Sequence, residues 1–391
     1  MMSSETIVFR KRQREHILPT GIVLPLVLII LIAIAILSME YLWRSDLELA
    51  LGRNMVLCGQ MDALAQSGLE HAKGLILNPQ DVPSEYWTGG SRQQLIPGSN
   101  DYYDVNVVRL SECNYQIVSA AYRLQGGELI ARTALRAELR LDPCVAYWQR
   151  GNAVIPPQAR ITGDVYCGGK LAVQGTIDGD AFAAGTIDVA GRVSGQKYSF
   201  AAAAPVVSPE LVPADFASHY YIERQVYVVD VIGTDVLCDV QLRPTSLNLA
   251  GVHYCSGPLR LKKRVEIQGM LVVEHDLVLD GDCDVVIKAV KNFPALLVGH
   301  DVKMKGAGQH LQIEGLTRIG HCIDMGNGAG NTVRITGALC VLAGGLEHTS
   351  GCALVIKADP DKAAIQVWPA PAVSKRWSPA GGAFFKSIER Q

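Results

Sequence analysis

Two near-copies lie side by side in the chain: GDVYCGGKLAVQGTI at residues 163–177 and GDAFAAGTIDVAGRV at residues 179–193. They are offset by sixteen residues, so that Gly163, Gly179 and Gly195 occupy equivalent positions. Within each copy apolar residues alternate and glycine marks the bends, which is typical of one coil of a β-solenoid. A single coil cannot bury its inward face, whereas stacking the next coil about 4.8 Å away buries a continuous apolar column. The repeat therefore predicts a stack of parallel strands.

A similar but less regular pattern continues through residues 251–348. We therefore predict an all-β right-handed parallel β-helix over residues 150–358, with an Ala/Pro-rich excursion at 197–225 that leaves the solenoid or covers its open end. An antiparallel β-sandwich is the alternative architecture. Residues 359–391 are rich in proline and cannot form another coil. We expect them to be a C-terminal cap, which would hide the last strand edges, or a tail.

The N-terminal part of the chain predicts a membrane span. Residues 17–39 carry no charge, and such a run is long enough to cross about 30 Å of hydrocarbon as a helix. The leader at residues 1–16 is basic, so the positive-inside rule predicts a cytoplasmic N-terminus and an exported remainder. We expect a single-pass protein of the inner (cytoplasmic) membrane with its C-terminal domain periplasmic or extracytoplasmic. A cleaved secretory signal is the alternative, which the long apolar run disfavours.

The predicted helix continues beyond the membrane. Residues 40–77 contain no proline, and their apolar side chains recur three or four positions apart, which predicts an amphipathic extension. The next segment, 78–144, contains three stretches of period-two alternation, at 103–110, 115–124 and 128–139. These predict an antiparallel meander, one face of which can bury the apolar stripe of the helix.

Two stretches carry a resemblance to a known family: PTGIVLPLVLIILIAIAIL at 19–37 and RNMVLCGQMDALAQSGLEHAKGLI at 53–76. With the sheet that follows, residues 8–141 resemble the type IV pilins, most closely the PilX-type minor pilins and the K-type minor pseudopilins of type II secretion. The resemblance implies an α+β pilin-like fold, a long helix plus an antiparallel meander. It also implies cleavage by a prepilin peptidase after Gly21, which leaves Ile22 as the mature N-terminus.

Two positions depart from the general pilin pattern. Many pilins carry Glu at the fifth mature position, which is Leu26 here. The PilX-type and K-type proteins also lack that Glu, so the resemblance implies a minor subunit of the filament tip. Pro25 at the fourth mature position is unusual for the family. A plain signal-anchor with a helical stalk is the alternative.

Composition excludes several classes of function. The net charge is −2, which gives no overall field for binding nucleic acid. The ten cysteines include no C-x-x-C pair, so zinc-ribbon and thioredoxin-like sites have no support. Most cysteines are expected to be buried as small apolar residues. One or two disulfides could form in an exported domain, but the spacing does not pair the cysteines.

Scattered carboxylates are the first candidates for chemistry. Asp164 and Asp180 lie one coil apart and could form a ladder for calcium or for acid/base chemistry on sugars. Both follow glycine at predicted bends, where Asp usually accepts backbone hydrogen bonds, and this interpretation is favoured. Asp280, Asp282 and Asp284 resemble the start of a calcium loop but lack the central Gly and closing Glu of an EF-hand. A polar turn is favoured there.

The remaining candidates are short motifs. His253 with Cys255 and His321 with Cys322 are pairs of potential metal ligands without clear partners, so burial is favoured. The glycine-rich loop at 326–331 lacks the Lys of a phosphate-binding loop. A basic edge is expected to be a solvated face rather than a site for an anionic polymer. Its members are Arg260, Lys262, Lys263 and Arg264.

The sequence therefore predicts a structural protein and not an enzyme, with no catalytic residue, cofactor or metal site. The favoured hypothesis is a membrane-anchored minor pilin or pseudopilin of a type IV pilus or type II secretion-like filament, which displays a β-helix head for adhesion or adaptor binding. Its partners would be the membrane, other pilin or pseudopilin subunits and a polysaccharide or surface ligand. The alternatives are a membrane-anchored carbohydrate-active β-helix enzyme and a bactofilin-like polymer-forming protein.

Overall fold

The structure is a computed structural model that describes residues 23–77, 87–111, 113–222, 225–347, 351–370 and 373–390. It divides into two compact units, Met1–Gln60 and Met61–Gln391. The basic leader at 1–16 and the predicted cleavage site at Gly21 and Ile22 lie outside the described residues.

Helix α1 runs from Val23 to Leu77, over 55 residues. Nearly every side chain from Leu24 to Gln60, within the first unit, is exposed. By length and composition, α1 is the one helix among the described residues that could span a membrane. Pro25 falls in the first turn, where proline costs no helical hydrogen bond. The predicted apolar and amphipathic segments are therefore one continuous helix from Val23 onward.

Two groups of strands follow α1, and the first group has long strands. They are β1 (Gly89–Gln93), β2 (Asp101–Ser111), β3 (Asn114–Gln125) and β4 (Glu128–Leu141). The second group begins with ten short strands: β5 (Val145–Gln149), β6 (Ala153–Ile155), β7 (Ala159–Thr162), β8 (Asp164–Cys167), β9 (Leu171–Val173), β10 (Thr176–Asp178), β11 (Ala181–Ala183), β12 (Ile187–Val189), β13 (Arg192–Val193) and β14 (Lys197–Tyr198).

After a 3-10 turn at Pro213–Phe216 the chain continues almost entirely as strands. They are β15 (His219–Ile222), β16 (Gln225–Val228), β17 (Asp230–Val231), β18 (Val236–Leu242), β19 (Val252–Cys255), β20 (Leu259–Gln268), β21 (Met270–Val273), β22 (Leu277–Lys288), β23 (Leu296–Val298), β24 (Val302–Met304), β25 (His310–Ile319), β26 (Ile323–Asp324), β27 (Thr332–Val341), β28 (Leu346–Glu347) and β29 (Ala353–Ala358). The last elements are α2 (Pro360–Ala363), β30 (Ile365–Ala370), β31 (Val373–Trp377) and β32 (Ala383–Arg390).

The first sheet has the strand order β1-β2-β3-β4-β32, and all its pairings are antiparallel. The predicted three-stranded meander is present as β2, β3 and β4. Because alternate residues of a strand face the same side, one face of this sheet is apolar and packs against the last turns of α1. The helix contributes Met61, Leu64, Ala65, Leu69, Ala72 and Ile76, and the sheet contributes Tyr103, Val105, Val107, Tyr115, Ile117, Ala121, Ala137, Leu139 and Leu141.

The sixteen-residue repeat becomes the register of parallel pairing. Thr176 pairs with Arg160 on one side and with Arg192 on the other, each sixteen residues away. The layers are so close that a Cβ atom at Gly179 would lie less than 3.0 Å from the carbonyl oxygen of Gly163. Only glycine therefore fits at this bend, which explains the glycine in each copy. The parallel pairing excludes the antiparallel sandwich considered as the alternative.

The layers do not follow one another in chain order. Strands β17 to β29 build their own parallel ladders, in which β20, β22, β25, β27 and β29 are consecutive neighbours. Strand β29 then pairs with β7, through Ile356 and Ile161, and β27 pairs with β5. The repeat at 145–198 therefore lies beyond the last layer of the later segment. The sequence repeat indicates how adjacent copies pair but not this order.

The inward side chains form one continuous apolar core. Residues 199–222 lie against the outside of one ladder, where Leu211, Phe216 and Tyr220 pack on residues such as Trp148 and Val272. The predicted excursion is therefore a cover for the side of the stack and not for its open end. It also carries the chain from the last layer of the first segment to the first layer of the second.

The described residues after Ala358, for which the sequence predicts a cap or a tail, join elements already described. Strands β30 and β31 join β15 and β16 in a small sheet, and β32 becomes the fifth strand of the first sheet. Helix α2 is attached to the first sheet through Arg109, whose Nη1 lies 3.2 Å from Asp359. The hydroxyl of Tyr115 donates a 2.8 Å hydrogen bond to Asp361.

Candidate functional site

The second unit has a regular, partly exposed surface on the outer face of the ladder formed by β20, β22, β25, β27, β29, β7 and β10. We call it the polar face. Paired residues of adjacent parallel strands face the same side of the sheet, so their side chains form columns across the strands. Residues two apart in one strand also face the same side and therefore belong to neighbouring columns. One column contains Glu266, Val286, Gln312, Arg334, Val355, Arg160 and Thr176, and the next contains Lys288, Glu314, Thr336, Lys357, Thr162 and Asp178.

Charges on the polar face are largely paired with one another. Lys288 Nζ lies 3.0 Å from Glu314, and Arg160 Nη2 lies 2.9 Å from Asp178. Burial raises the pKa of Glu314, but hydrogen bonds from Lys362 and Lys288 outweigh that effect and hold the pKa below its usual value. The face therefore offers hydrogen-bonding groups rather than a strong net charge.

An open groove of about 400 Å³ lies at one end of the polar face, lined by Glu266, Gln268, Val286, Lys288 and Gln312 among others. The basic edge predicted from sequence lies within β20 itself. Its charges are partly neutralised, since Lys262 lies 3.2 Å from Asp280 and Arg264 is paired with Glu266. The basic edge is therefore a solvated face, as expected from the sequence.

The two equivalent aspartates serve the backbone. Asp164 accepts a 2.7 Å hydrogen bond from the amide of Cys144 and a 2.8 Å bond from the amide of Asp180. Asp180 accepts in turn from the amide of Gln196, at 2.7 Å. Burial raises the pKa of Asp164, which the backbone hydrogen bonds offset only in part. Both carboxylates have the role favoured from sequence, which is to join successive layers at a bend.

Asp280, Asp282 and Asp284 lie in the middle of β22, around Gly281, whose φ of 71° breaks the strand locally. Asp282 and Asp284 are exposed, and among the described residues they belong to no group of three or more His, Cys, Asp or Glu side chains that could hold a metal ion. The glycine-rich loop at 326–331 connects two layers. Asn331 stabilises it by donating 2.8 Å hydrogen bonds to the carbonyls of Gly306 and Met325.

The two His/Cys pairs differ in their surroundings. His253 and Cys255 are both buried in β19. Burial lowers the pKa of His253, and the charge of Asp230, which lies 3.6 Å away, offsets this only in part. No third ligand joins this pair among the described residues. Burial is therefore the arrangement found for this pair, as favoured from sequence.

His321 and Cys322 are brought to Asp301 of the preceding layer. Asp301 Oδ1 lies 2.7 Å from His321 Nδ1 and 3.1 Å from Cys322 Sγ. Sequence reasoning missed Asp301 because the contact depends on the pairing of Val302 with Ile323, across a loop. Burial, followed by the contact with Asp301, raises the pKa of the Cys322 thiol to about 12. For Asp301, hydrogen bonds from Lys303, Cys322 and His321 outweigh the effect of burial and hold the pKa well below its usual value.

No protein-family model and no curated protein matches the chain. Two solved structures are similar in part. The ice-binding protein of the Antarctic ascomycete Antarctomyces psychrotrophicus is 15% identical, with a TM-score of 0.31, over 56% of this chain and 98% of that one. The competence-associated pilin ComZ from Thermus thermophilus is 14% identical, with a TM-score of 0.26, over 86% of this chain and 98% of that one. At these TM-scores neither likeness establishes the fold or the function of this chain.

Proposed function

We propose that the protein is a membrane-anchored minor pilin or pseudopilin-like subunit that displays a β-rich head. The observation that carries this proposal is helix α1. From Leu24 to Gln60 it is largely exposed, with no charged residue before Glu40, and from Met61 the same helix packs against an antiparallel sheet. Such a large exposed apolar surface requires a membrane or the apolar helices of other subunits. A pilin-type helix has each of these environments in turn. It lies first in the membrane and later against the apolar helices of other subunits in a filament.

The proposal gives the chain one orientation. The basic leader stays in the cytoplasm, α1 crosses the inner membrane, and the second unit is exported. Prepilin peptidase cuts between Gly21 and Ile22. Leu26 at the fifth mature position, in place of a glutamate, fits a minor subunit of the PilX or K type at the tip of a type IV pilus or type II secretion-like filament.

In this proposal the parallel ladders form a right-handed β-helix that acts as the head. The polar face binds a polysaccharide or another surface ligand through its hydrogen-bonding columns. The head is not an enzyme. In support, Asp164 and Asp180 accept hydrogen bonds from the backbone, and Asp280 is paired with Lys262. These carboxylates therefore stabilise the fold through hydrogen bonds and an ion pair.

The decisive experiment is N-terminal sequencing and intact-mass analysis of the full chain, produced together with a prepilin peptidase. The expected mature chain starts at Ile22. The variant Gly21→Val should retain residues 1–21, because the resemblance implies a cut that follows a glycine. Gly52→Val, at an exposed position further along α1 with open space around it, is the matched control and should be processed normally. A wild-type chain that retains residues 1–21 would overturn pilin processing and leave α1 as a permanent anchor.

A bactofilin-like polymer has one observation in its favour. The terminal layers expose part of the apolar core, with Ile187 and Val193 at one end and Leu237 and Val240 at the other. Head-to-tail stacking of two copies would cover both sets. If Val193→Asp abolishes filaments and Leu31→Arg does not, the polymer forms through the head. The opposite result supports assembly through α1.

A further inference from the structure

Three consecutive layers carry a pair of polar residues at the same bend. The strands that follow the bend are in register, since Leu277 pairs with Val302 and Val302 pairs with Ile323. The two residues before each of these positions therefore stack in a column, which we call the His–Asp column. Its members are His275 and Asp276, His300 and Asp301, and His321 and Cys322. The rings of His275 and His300 are stacked, with centroids 5.5 Å apart.

At one end of the His–Asp column, three different donor atoms converge. Asp301 Oδ1, His321 Nδ1 and Cys322 Sγ all lie within 4.8 Å of one another. Among the described residues this is the one group of three or more His, Cys, Asp or Glu side chains with that geometry. Cys322 is buried, whereas the side chain of His321 is 53% exposed. The cluster is therefore anchored in the stack on one side and open to solvent on the other.

Lys303 fixes the orientation of the carboxylate. Its Nζ lies 2.8 Å from Asp301 Oδ2 and 2.7 Å from Asp276 Oδ2. The second oxygen, Oδ1, is thereby turned toward His321 and Cys322. A partner that holds one oxygen of a carboxylate ligand in this way is a recurrent feature of metal sites.

We propose that Asp301, His321 and Cys322 bind a divalent transition-metal ion of the zinc type, with a fourth coordination position open to solvent. A nitrogen, sulfur and oxygen ligand set with one open position suits zinc, whereas calcium and magnesium take oxygen ligands. On binding, the Cys322 thiol loses its proton to solvent and its sulfur forms the bond to the metal. The thiolate and the Asp301 carboxylate then balance the charge of the ion.

The required movement is small. Tetrahedral coordination at zinc distances separates neighbouring ligand atoms by roughly 3.3–3.6 Å. The present separations from Asp301 Oδ1 are 2.7 Å to His321 Nδ1 and 3.1 Å to Cys322 Sγ. These two pairs of atoms therefore need to part by only about half an ångström, which the exposed His321 ring can supply, and the third pair, His321 Nδ1 and Cys322 Sγ, lies within 4.8 Å. The filament role does not require this site, so the two proposals stand separately.

The test uses the full chain in detergent with Cys58 and Cys238 replaced by Ser, because these two exposed thiols would bind zinc adventitiously. Zinc binding is measured by competition with a chromophoric chelator. Binding of cobalt in place of zinc is followed through the thiolate-to-metal charge-transfer band. We expect one ion per chain, a charge-transfer band, and a rise in unfolding temperature on adding zinc.

His321→Gln and Cys322→Ser should each weaken zinc binding by at least about 100-fold, and Cys322→Ser should also abolish the charge-transfer band. His310→Gln is the matched control, because His310 is exposed on the polar face, where its ring contacts Thr332. This variant should bind zinc like the parent. Unfolding temperatures measured without metal separate loss of a ligand from loss of the fold. Absence of zinc binding in the parent, or equal affinity in the parent and a correctly folded His321→Gln variant, would overturn the proposal.

Discussion

Asp164 shows how single side chains join the layers of the stack. It lies almost completely inside the protein, yet its two carboxylate oxygens receive amides from two different layers, those of Cys144 and Asp180. A buried amide without an acceptor costs about 1–3 kcal/mol. By accepting hydrogen bonds from both amides, the Asp164 carboxylate offsets the cost of its own burial.

At the residue scale, Asp164→Ala should lower the free energy of unfolding by about 2–4 kcal/mol, because one buried and one partly buried amide lose their acceptor. Urea unfolding followed by circular dichroism measures the change. Asp180→Ala is the matched control, since its carboxylate is more exposed and accepts from Gln196 alone in the same manner. An equal effect of both substitutions would show that burial of Asp164 contributes nothing.

At the element scale, Glu314 links β25 to α2. Its carboxylate lies 3.0 Å from Lys288 and 2.8 Å from Lys362 of α2. Because these ammonium groups hold the pKa of Glu314 below its usual 4.5 in the folded state, the ionised form is favoured more by the folded than by the unfolded chain. This stabilisation is present above pH 4.5 and is lost as the pH falls through the folded pKa.

Glu314→Gln should therefore lower the free energy of unfolding by about 1–2 kcal/mol at neutral pH. The difference from the wild type should shrink as the pH is lowered below about 4.5. Thermal unfolding between neutral and acidic pH measures both effects. Glu138→Gln, at an exposed position on β4, is the control and should change stability little at any pH. A difference that stays constant with pH would argue against the ion pairs as its source.

The disulfide between Cys113 and Cys144 is a second link between elements. It joins the turn before β3 to the residue before β5, and so ties the antiparallel sheet to the parallel stack. The sequence allowed such a bridge but gave no pairing. Cys113 and Cys144 become neighbours only after β4 has returned along β3.

Replacing both cysteines by serine should lower the free energy of unfolding by about 2–4 kcal/mol, since the unfolded chain loses a constraint. Urea unfolding with and without dithiothreitol is the measurement. The reductant should bring the wild type to the level of the double variant and leave that variant unchanged. Cys58→Ser, which removes an exposed free thiol of α1, is the control. A wild type insensitive to dithiothreitol would contradict the structural role of the bridge.

At the scale of the whole molecule, the proposal assigns membrane anchoring to the apolar part of α1. Leu31→Arg places a charge in the middle of that part and should cost about 2.5–3.5 kcal/mol of insertion free energy. We expect a smaller fraction of the chain to resist extraction from membranes at alkaline pH. Leu51→Arg, which lies beyond Arg44 and Glu48 on the same helix, should leave extraction unchanged. Equal extraction of both variants would show that α1 is not the anchor.

The sequence by itself determined the elements and their local pairing. The hydrophobic run predicted the first part of α1, and the period-two stretches predicted the meander. The sixteen-residue repeat predicted the register in which Arg160, Thr176 and Arg192 are paired. These features are readable because they depend on side-chain periodicity within a short segment. The backbone role of Asp164 was predictable for the same reason, since it follows from its place after Gly163 at a bend.

Only the tertiary structure decided which layer lies next to which. The pairing of Ile356 with Ile161 joins segments almost two hundred residues apart, and every layer edge offers the same hydrogen-bonding pattern, so no local signal selects the partner. For the same reason the contact of Asp301 with His321 and Cys322 could not be predicted from the sequence, since the length of the intervening loop sets their register. The pairing of β32 with β4 could not be predicted either, because it depends on an open strand edge elsewhere in the fold.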